Sequence, residues 1–362
     1  RNASKLDDVA RRTGADVPRI VADATDRDAL AAMVASTRVV ASTVGPYALY
    51  GSELVEAAVE AGTDYCDLTG EVQWMRRMID AHQERAEQTG ARIVHACGFD
   101  SIPSDVGTWF TQQRSIERFG EPCIEVRMAV KGVRGGLSGG TAASGIQMFE
   151  EIAEDPSLRK VIGDPYVLAP VDLRAGPRQP GMARPTRDER FESWVAPFVM
   201  APTNSAVVLR THALLGRPWG REFTYGETMM TGDGLAGGVA AWGMTAGLAA
   251  FAGAASFGPT RSLLGKVIPK PGEGPSEAKQ QAGWFDLRFV GRTAGGHEIH
   301  TKVTGDADPG YGSTAKMLGE SAVAFLDLDR VGGGFWTPAS AFGDALIERL
   351  EAHAGIRFDV VP

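Results

Sequence analysis

The chemistry in this chain gathers where apolar runs stop. ARIVHAC (91–97) breaks off into GFDSIPSD (98–105), which crowds Asp100, Ser101, Ser104 and Asp105 around Pro103. Two carboxyls and two hydroxyls at the end of a buried strand suit proton transfer or the orientation of a substrate. The same side chains also cap helices, because their oxygens accept the free N–H groups of a first turn, where Pro is tolerated. Capping is the stronger expectation for this motif, and Gly98 permits the sharp exit. VVASTV (39–44) ends in Gly45, Pro46 and Tyr47, where Gly allows close backbone approach and Pro fixes the turn. RIVA (19–22) ends in ADATD, with Asp23 or Thr25 placed to cap the next helix.

These ends belong to an alternating pattern. DATDRDALAAMVAST, GSELVEAAVEAG and VQWMRRMIDAHQERAEQTG carry apolar residues at helical spacing, the last two stopping at Gly62 and Gly90. RIVA, VVASTV, TDYCDL and ARIVHAC read as the strands between them. Strands joined by helices of this length need crossover connections, so the sheet is parallel and covered on both faces. Ligands of such sheets bind beyond the carboxyl ends of the strands. Three chemically unusual strand ends on one rim therefore point to a ligand crevice.

Beyond Gly120 the alternation breaks. CIEVRMAVKG reads as a strand leading into VRGGLSGGTAASGIQMFEEIAED, a glycine-rich loop entering a helix. The glycine spacing matches neither standard phosphate loop, so it reads as a loop that small residues open to a ligand. VDLRAGPRQPGMARPTRDER is an exposed loop by its Pro and Arg content. AVVLRTHALL, REFTYGETM, WFDLRFVGRT and HEIHTKVTG read as strands, the last two as a hairpin. A final helix around Ala341–Leu350 would pack back on the first domain. The expected divisions are residues 1–122, 123–333 and 334–362.

Residues 234–260 carry no charge, long enough to span a bilayer by length, yet mostly Ala and Gly. An apolar helix at a membrane surface or over a lipid groove is the expectation, with Trp242 as anchor and Arg261, Lys266 and Lys270 facing headgroups. A buried or dimer-interface helix is the alternative. A formal charge of −8 with no basic, aromatic-interleaved cluster argues against nucleic acid. Cys66, Cys97 and Cys123 are too scattered for a disulfide framework or a zinc site. No three histidines share metal-ligand spacing, and no Ser/His/Asp constellation is present.

TVGPYALYGSELVEAAVEAGTDYCDLTGE followed by ARIVHACGFDSIPSD resembles the saccharopine dehydrogenase-like oxidoreductases, closest to the bacterial trans-acting enoyl reductases of mycobacterial lipid biosynthesis. The likeness continues through DPYVLAP, FVMAPTNSAVVLRTHALL, VIPKPGEGPS and WTPASAFGDALIERL, so it covers essentially the whole chain. It implies an α/β fold: a Rossmann-type doubly wound parallel sheet with a second α+β domain carrying a mixed or antiparallel sheet. One departure stands out. The family's opening strand and G-A-T-G-x-x-G turn do not occur before residue 19, so the first strand-loop-helix unit is expected to lie upstream of this sequence.

By the same matching Arg1 ends the second strand, where a cation accepts a ribose 2′-phosphate, with Ser4 and Lys5 as secondary partners. This favours NADP(H) over NAD(H). Asp23 and Ala24 would lie beside the adenine, and Thr43, Val44, Gly45, Pro46 and Tyr47 along the nicotinamide ribose. The resemblance implies reduction of an enoyl thioester, an acyl-lipid intermediate presented by a polyketide synthase. Tyr47 is then the expected hydrogen-bond and proton donor, and Asp100 and Ser101 orient substrate. Two other activities compete with this. An imine-reducing amino-acid dehydrogenase would use Arg127, Arg134 and Arg210 for substrate carboxylates. A non-catalytic lipid-associated protein would keep the fold alone. The expected location is the cytoplasm, peripheral at the inner face of the plasma membrane.

Overall fold

The computed structural model describes residues 3–135, 139–267, 274–327 and 330–362. Helix α1 (Ala3–Thr13) buries none of its residues and is tied to the following segment by Asp7–Arg19 at 2.9 Å. RIVA is not a strand: residues 15–23 are irregular, with Ile20 and Val21 about half exposed. A strand exists only against a partner, and among the described residues none pairs the outer edge of the sheet at β1 (Val39–Ser42). Asp26, rather than Asp23 or Thr25, caps α2 (Arg27–Ala35), accepting the Ala29 N–H at 3.1 Å. Asp23 instead closes a turn, its Oδ1 accepting the N–H and hydroxyl of Thr25.

The alternating pattern then holds: α3 (Tyr47–Tyr50), α4 (Ser52–Ala61), β2 (Asp64–Asp67), α5 (Val72–Thr89), β3 (Arg92–Val94) and α6 (Ile102–Phe119). Helices α4 and α5 stop at Gly62 and Gly90, whose φ of 70° and 83° suit residues without a Cβ. β3 is shorter than ARIVHAC suggests. At Ala96 the backbone turns left-handed (φ 61°), and the Asp67 carboxylate and carbonyl take the N–H groups of Ala96 and Cys97. The strand thus leaves the sheet because a side chain replaces its next ladder partner.

The second half supplies β4 (Cys123–Arg134), α7 (Gly139–Glu154), α8 (Leu158–Ile162), β5 (Thr186–Asp188), β6 (Ser193–Pro197), α9 (Ala201–Leu214) and β7 (Thr224–Gly232). After these come α10 (Gly234–Ser256), α11 (Gly258–Val267), α12 (Glu277–Gln281), β8 (Trp284–Thr293), β9 (Glu298–Gly305) and α13 (Gly312–Asp327). The chain closes with β10 (Gly334–Trp336), α14 (Pro338–Phe342), α15 (Asp344–His353) and β11 (Ile356–Val361). The first sheet runs β1-β2-β3-β10, all parallel. The second runs β11-β9-β8-β4-β7-β6-β5 and is mixed, parallel only between β4 and β7. The expected hairpin is β8–β9.

AVVLRTHALL is helical, contrary to its β-branched composition. It lies in α9, which starts with Pro202 in its first turn and buries Ala206 through Ala213 without interruption. A helix enclosed on all sides loses its polar stripe and mimics a buried strand. The expected final helix is broken at Gly343 (φ 55°): α14 packs on α6 and α9, α15 on α13 and β11. Each sheet carries its own apolar cluster, around Trp74, Tyr65 and Ile93 in the first, and around Phe285, Phe289 and Tyr225 in the second. Each such side chain contributes roughly 1.5–3 kcal/mol on burial.

Helix α10 packs on β6 through glycine: a Cβ at Gly238 would stand 3.2 Å from the Trp194 ring. Only Gly237, Gly238, Ala241 and Ala255 are buried, while Leu235, Val239, Trp242 and Phe251 are exposed. By length and composition this helix is apolar enough to cross a membrane, with 17% of its most apolar window buried.

Candidate active site

The carboxyl ends of β1, β2 and β3 meet the starts of α7 and α9 here. Past β2, the loop 68–71 carries Glu71, whose two carboxylate oxygens accept the N–H groups of Tyr47 and Ala48, each at 2.8 Å. Glu71 therefore clamps the helix start that follows Gly45-Pro46, placing negative charge where the helix dipole favours it. Ser144 of α7 donates to the same carboxylate at 2.7 Å, and burial raises the Glu71 pKa. A Cβ at Gly45 would stand 3.4 Å from the Tyr47 ring and 3.8 Å from Ser144 Oγ, so glycine keeps open the gap between this turn and α7. Thr43 and Val44, just before this turn, are exposed.

Tyr47 is taken up by the strand ends rather than free toward a ligand. Its ring is buried against Trp74, and its hydroxyl donates to the Ser42 carbonyl at 2.9 Å while accepting the Leu68 N–H at 3.2 Å. Burial raises its pKa first, and Asp67 adds to the rise. The phenol ties β1 to the loop after β2, so its expected role is corrected to a brace between strand ends. Behind it His95 Nδ1 lies 2.7 Å from Asp67, with Trp74 and Phe335 against the ring.

GFDSIPSD is corrected too. Ser101 occupies the N-cap position of α6 but makes no capping bond; its hydroxyl donates to Asn204 Oδ1 at 3.1 Å. Asp105 caps a different helix, accepting the N–H of Ala339 in α14 at 2.8 Å and the Thr211 hydroxyl of α9. Pro103 sits in the first turn of α6, as expected. Asp100 has no hydrogen-bond or ion-pair partner among the described residues for its carboxyl. It faces the loop after β2: a Cβ at Gly70 would lie 3.9 Å from Asp100 Oδ2, 3.2 Å from Met200 Cε and 3.9 Å from Thr203 Cγ2. The residue is half-buried, and this burial pushes the pKa up to about 6.

Asn204, Tyr225 and Glu227 escaped the sequence analysis, as did Glu71 and Ser144. Asn204 Nδ2 donates to Glu227 Oε2 at 2.9 Å, and the Tyr225 hydroxyl donates to Glu227 Oε1 at 2.6 Å. Glu227 is buried on β7 and pushed up to about 7, chiefly by burial and further by the charge of Asp100. The available signal was REFTYGETM itself: alternation puts Tyr225 and Glu227 on one face, and that face is the buried one. Ser101, next to Asp100 in sequence, thus starts a hydrogen-bonded chain through Asn204 and Glu227 to Tyr225.

Thr43 and Val44 are exposed at this rim and are the residues that would meet the nicotinamide half of a dinucleotide. Ser4 and Lys5 occupy the first turn of α1, also exposed, and Asp23 and Ala24 are half-buried before α2. Arg1 lies outside the described residues. The three cysteines are free and buried. Among the described residues no group of acids, histidines and cysteines could hold a metal. An open depression at Thr37, Arg38, Thr63 and Asp64 lies at the opposite, amino ends of β1 and β2, away from these acids.

Residues 1–94 match the saccharopine dehydrogenase NADP-binding domain. A candidate trans-acting enoyl reductase of Mycobacterium tuberculosis is 42% identical over 352 residues, covering 94% of this chain and 84% of the relative. A trans-acting enoyl reductase of Mycobacterium bovis is 39% identical over 367 residues, covering 97% and 87%. Among solved structures, apo saccharopine dehydrogenase (L-glutamate forming) of Saccharomyces cerevisiae superposes with a TM-score of 0.51 at 16% identity, over 100% of this chain and 93% of that one, a likeness of fold. An identity of this order over nearly the whole chain, with an NADP-binding domain at its start, makes this protein an NADP(H)-dependent oxidoreductase of the saccharopine dehydrogenase-like family, in the branch of the mycobacterial trans-acting enoyl reductases.

Proposed function

We propose that the chain reduces the α,β double bond of an apolar acyl thioester presented by a separate synthase of the polyketide type. The observation that carries this is the lack, among the described residues, of a cationic cradle at the cleft. Substrates with paired carboxylates need free guanidinium groups; of the three arginines that an amino-acid dehydrogenase would use, Arg134 is exposed at the end of β4 and the other two are engaged. Arg127 is paired with Glu125 at 2.6 Å, and Arg210 is buried, donating to the carbonyls of Leu168 and Phe335. Around Asp100 the wall is instead the Met200 thioether and the Thr203 methyl.

Bound NADP(H) supplies the hydride. This chain's own residues hold the rest of the reaction: Thr43, Val44 and Gly45 form the rim, and Glu71 and Ser144 fix the turn against α7. The test is NADPH consumption with a long-chain 2-enoyl thioester beside an imine formed from an amino acid and an aldehyde. Turnover of the thioester alone is expected; turnover of the imine alone would overturn the assignment.

The outer face of α10 supports contact with a lipid surface at the cytoplasmic side of the membrane. The helix is uncharged, largely uncovered, and packs on α7, the helix that borders the rim. Trp242→Asp should abolish flotation with anionic vesicles. If the protein does not float and is instead a dimer that this change splits, the face belongs to a second copy.

A further inference from the structure

Only one nitrogen of His95 has a partner. Asp67 Oδ1 accepts the N–H groups of Thr69 and Ala96, and its Oδ2 lies 2.7 Å from His95 Nδ1. With Asp67 as the acceptor, Nδ1 carries the ring proton, and Nε2 of the neutral ring is itself an acceptor. His95 is 5% exposed, and among the described residues no donor reaches Nε2. A buried acceptor without a donor has lost its hydration without compensation.

A second unusual group stands close by. Arg210 of α9 is buried and donates to the carbonyls of Leu168 and Phe335, and among the described residues no carboxylate pairs with it. Two carbonyls do not exhaust the N–H groups of a guanidinium. Between His95 and Arg210 lies a small cavity, lined by both, with Thr337 as a third polar residue and Met75, Ile79, Leu168 and Val207 as apolar walls. Asp67 is not part of that lining. Since Nδ1 points to Asp67, the ring turns its other edge, which carries Nε2, to the cavity. The space open to the centre of a water is ≈ 10 Å³, about what one molecule needs. Dry cavities are walled by apolar groups, whereas a buried water is kept where about two to four polar groups meet it.

We propose that this cavity is a binding site for a single water, which accepts from the Arg210 guanidinium and donates to His95 Nε2. The water completes a polar chain from Asp67 at the end of β2, through His95 just past β3, to α9. The same helix carries Thr203 and Asn204 in its first turn, where the Thr203 hydroxyl donates to the Gly70 carbonyl at 3.1 Å and Asn204 accepts from Ser101. Those bonds hold the start of α9 against the strand ends, and the water holds its middle. The site does not depend on which substrate the protein reduces. A halide would suit Arg210 but not Nε2, which needs a donor.

Crystals of the whole protein, one set soaked in sodium bromide, give the direct test. The expected result is one spherical density peak about 2.7–3.2 Å from both His95 Nε2 and an Arg210 nitrogen, with no anomalous signal from bromide. A cavity without density overturns the proposal, and so does an anomalous peak, which makes it a halide site. Val207→Ile gives a second measurement by pushing a methyl group into the same space. In a dry cavity that methyl gains contacts, and Tm should rise by about 1–3 °C. With a water expelled and Nε2 stranded, Tm should fall by about 2–6 °C. Overpacking also lowers Tm, so the change is repeated in His95→Phe, which has no Nε2 to strand; there the fall should be no more than about half as large. A rise in the parent, or an equal fall in both backgrounds, overturns the water. If either variant fails to fold, the density beside His95 decides alone.

Discussion

Asp105 should make this protein less stable as pH rises, and the size of the effect is set by its surroundings. The residue is fully buried on α6, with the Ala339 N–H on one oxygen and the Thr211 hydroxyl on the other. Those bonds favour the carboxylate, but burial outweighs them and raises the pKa from 3.8 to about 7. The native state thus keeps a proton that the unfolded chain has released. Stability from this group is full below the unfolded value near about 4 and is lost as pH rises through about 7. A shift of about 3 units at about 1.36 kcal/mol each gives about 4 kcal/mol, of which about 3 kcal/mol falls between about pH 5 and about pH 8. Asp105→Asn keeps the shape and never ionises. At the acid end it should cost about 1–2 kcal/mol, because its amide donors meet a hydroxyl already donating. At the alkaline end that cost should vanish or reverse. Urea unfolding of both proteins across this range, followed by circular dichroism, measures the gap. Curves that stay parallel within about 0.5 kcal/mol would refute the reasoning, since they require Asp105 to titrate alike in both states.

Three further outcomes are expected from the same contacts. Tyr47→Phe strands the buried Ser42 carbonyl and Leu68 N–H and should cost about 1–3 kcal/mol in thermal or urea unfolding; a loss of turnover of roughly 10² or more without that destabilisation would restore the phenol as proton donor. Glu71→Ala leaves two helix-start N–H groups without their carboxylate and should cost about 1–2 kcal/mol, with weaker NADPH binding in a fluorescence titration because the Gly45 turn loses its clamp. Gly51→Ala would put a Cβ 2.7 Å from the Trp74 ring and 2.9 Å from the Tyr47 carbonyl, so about 1–3 kcal/mol of overpacking should appear as a lower Tm.

Much of the fold is legible in the sequence because its signals are local. The helices ending at Gly62 and Gly90 declare themselves by spacing and a left-handed stop. The segments that mislead depend on partners distant in sequence. RIVA has a strand's composition but no neighbour among the described residues to pair with. The α9 segment has the composition of a strand and is a helix, because α6, β7 and α14 enclose it and remove the polar stripe by which helices are recognised.

At the site the same distinction separates motif from role. GFDSIPSD is visible as chemistry, yet its capping geometry differs in detail from the local expectation: Asp105 reaches a helix 234 residues away and Ser101 reaches α9. Local spacing can say that an acid has a donor within reach. It cannot say that a tertiary donor is better. Tyr47 shows the reverse error, a phenol whose adjacency to a cofactor turn suggests catalysis while its hydroxyl is consumed by two backbone groups. Glu227 escapes notice because one Glu in a strand looks like a solvent-facing residue until the facing helices are in place. What distinguishes Asp100 from its neighbours is then a negative property. Asp105, Glu71 and Glu227 are each matched by donors from other elements, whereas its carboxyl, half-buried, is unmatched among the described residues. Folding alone would favour removing such a group, because partial burial of an unmatched carboxyl costs free energy that nothing beside it returns.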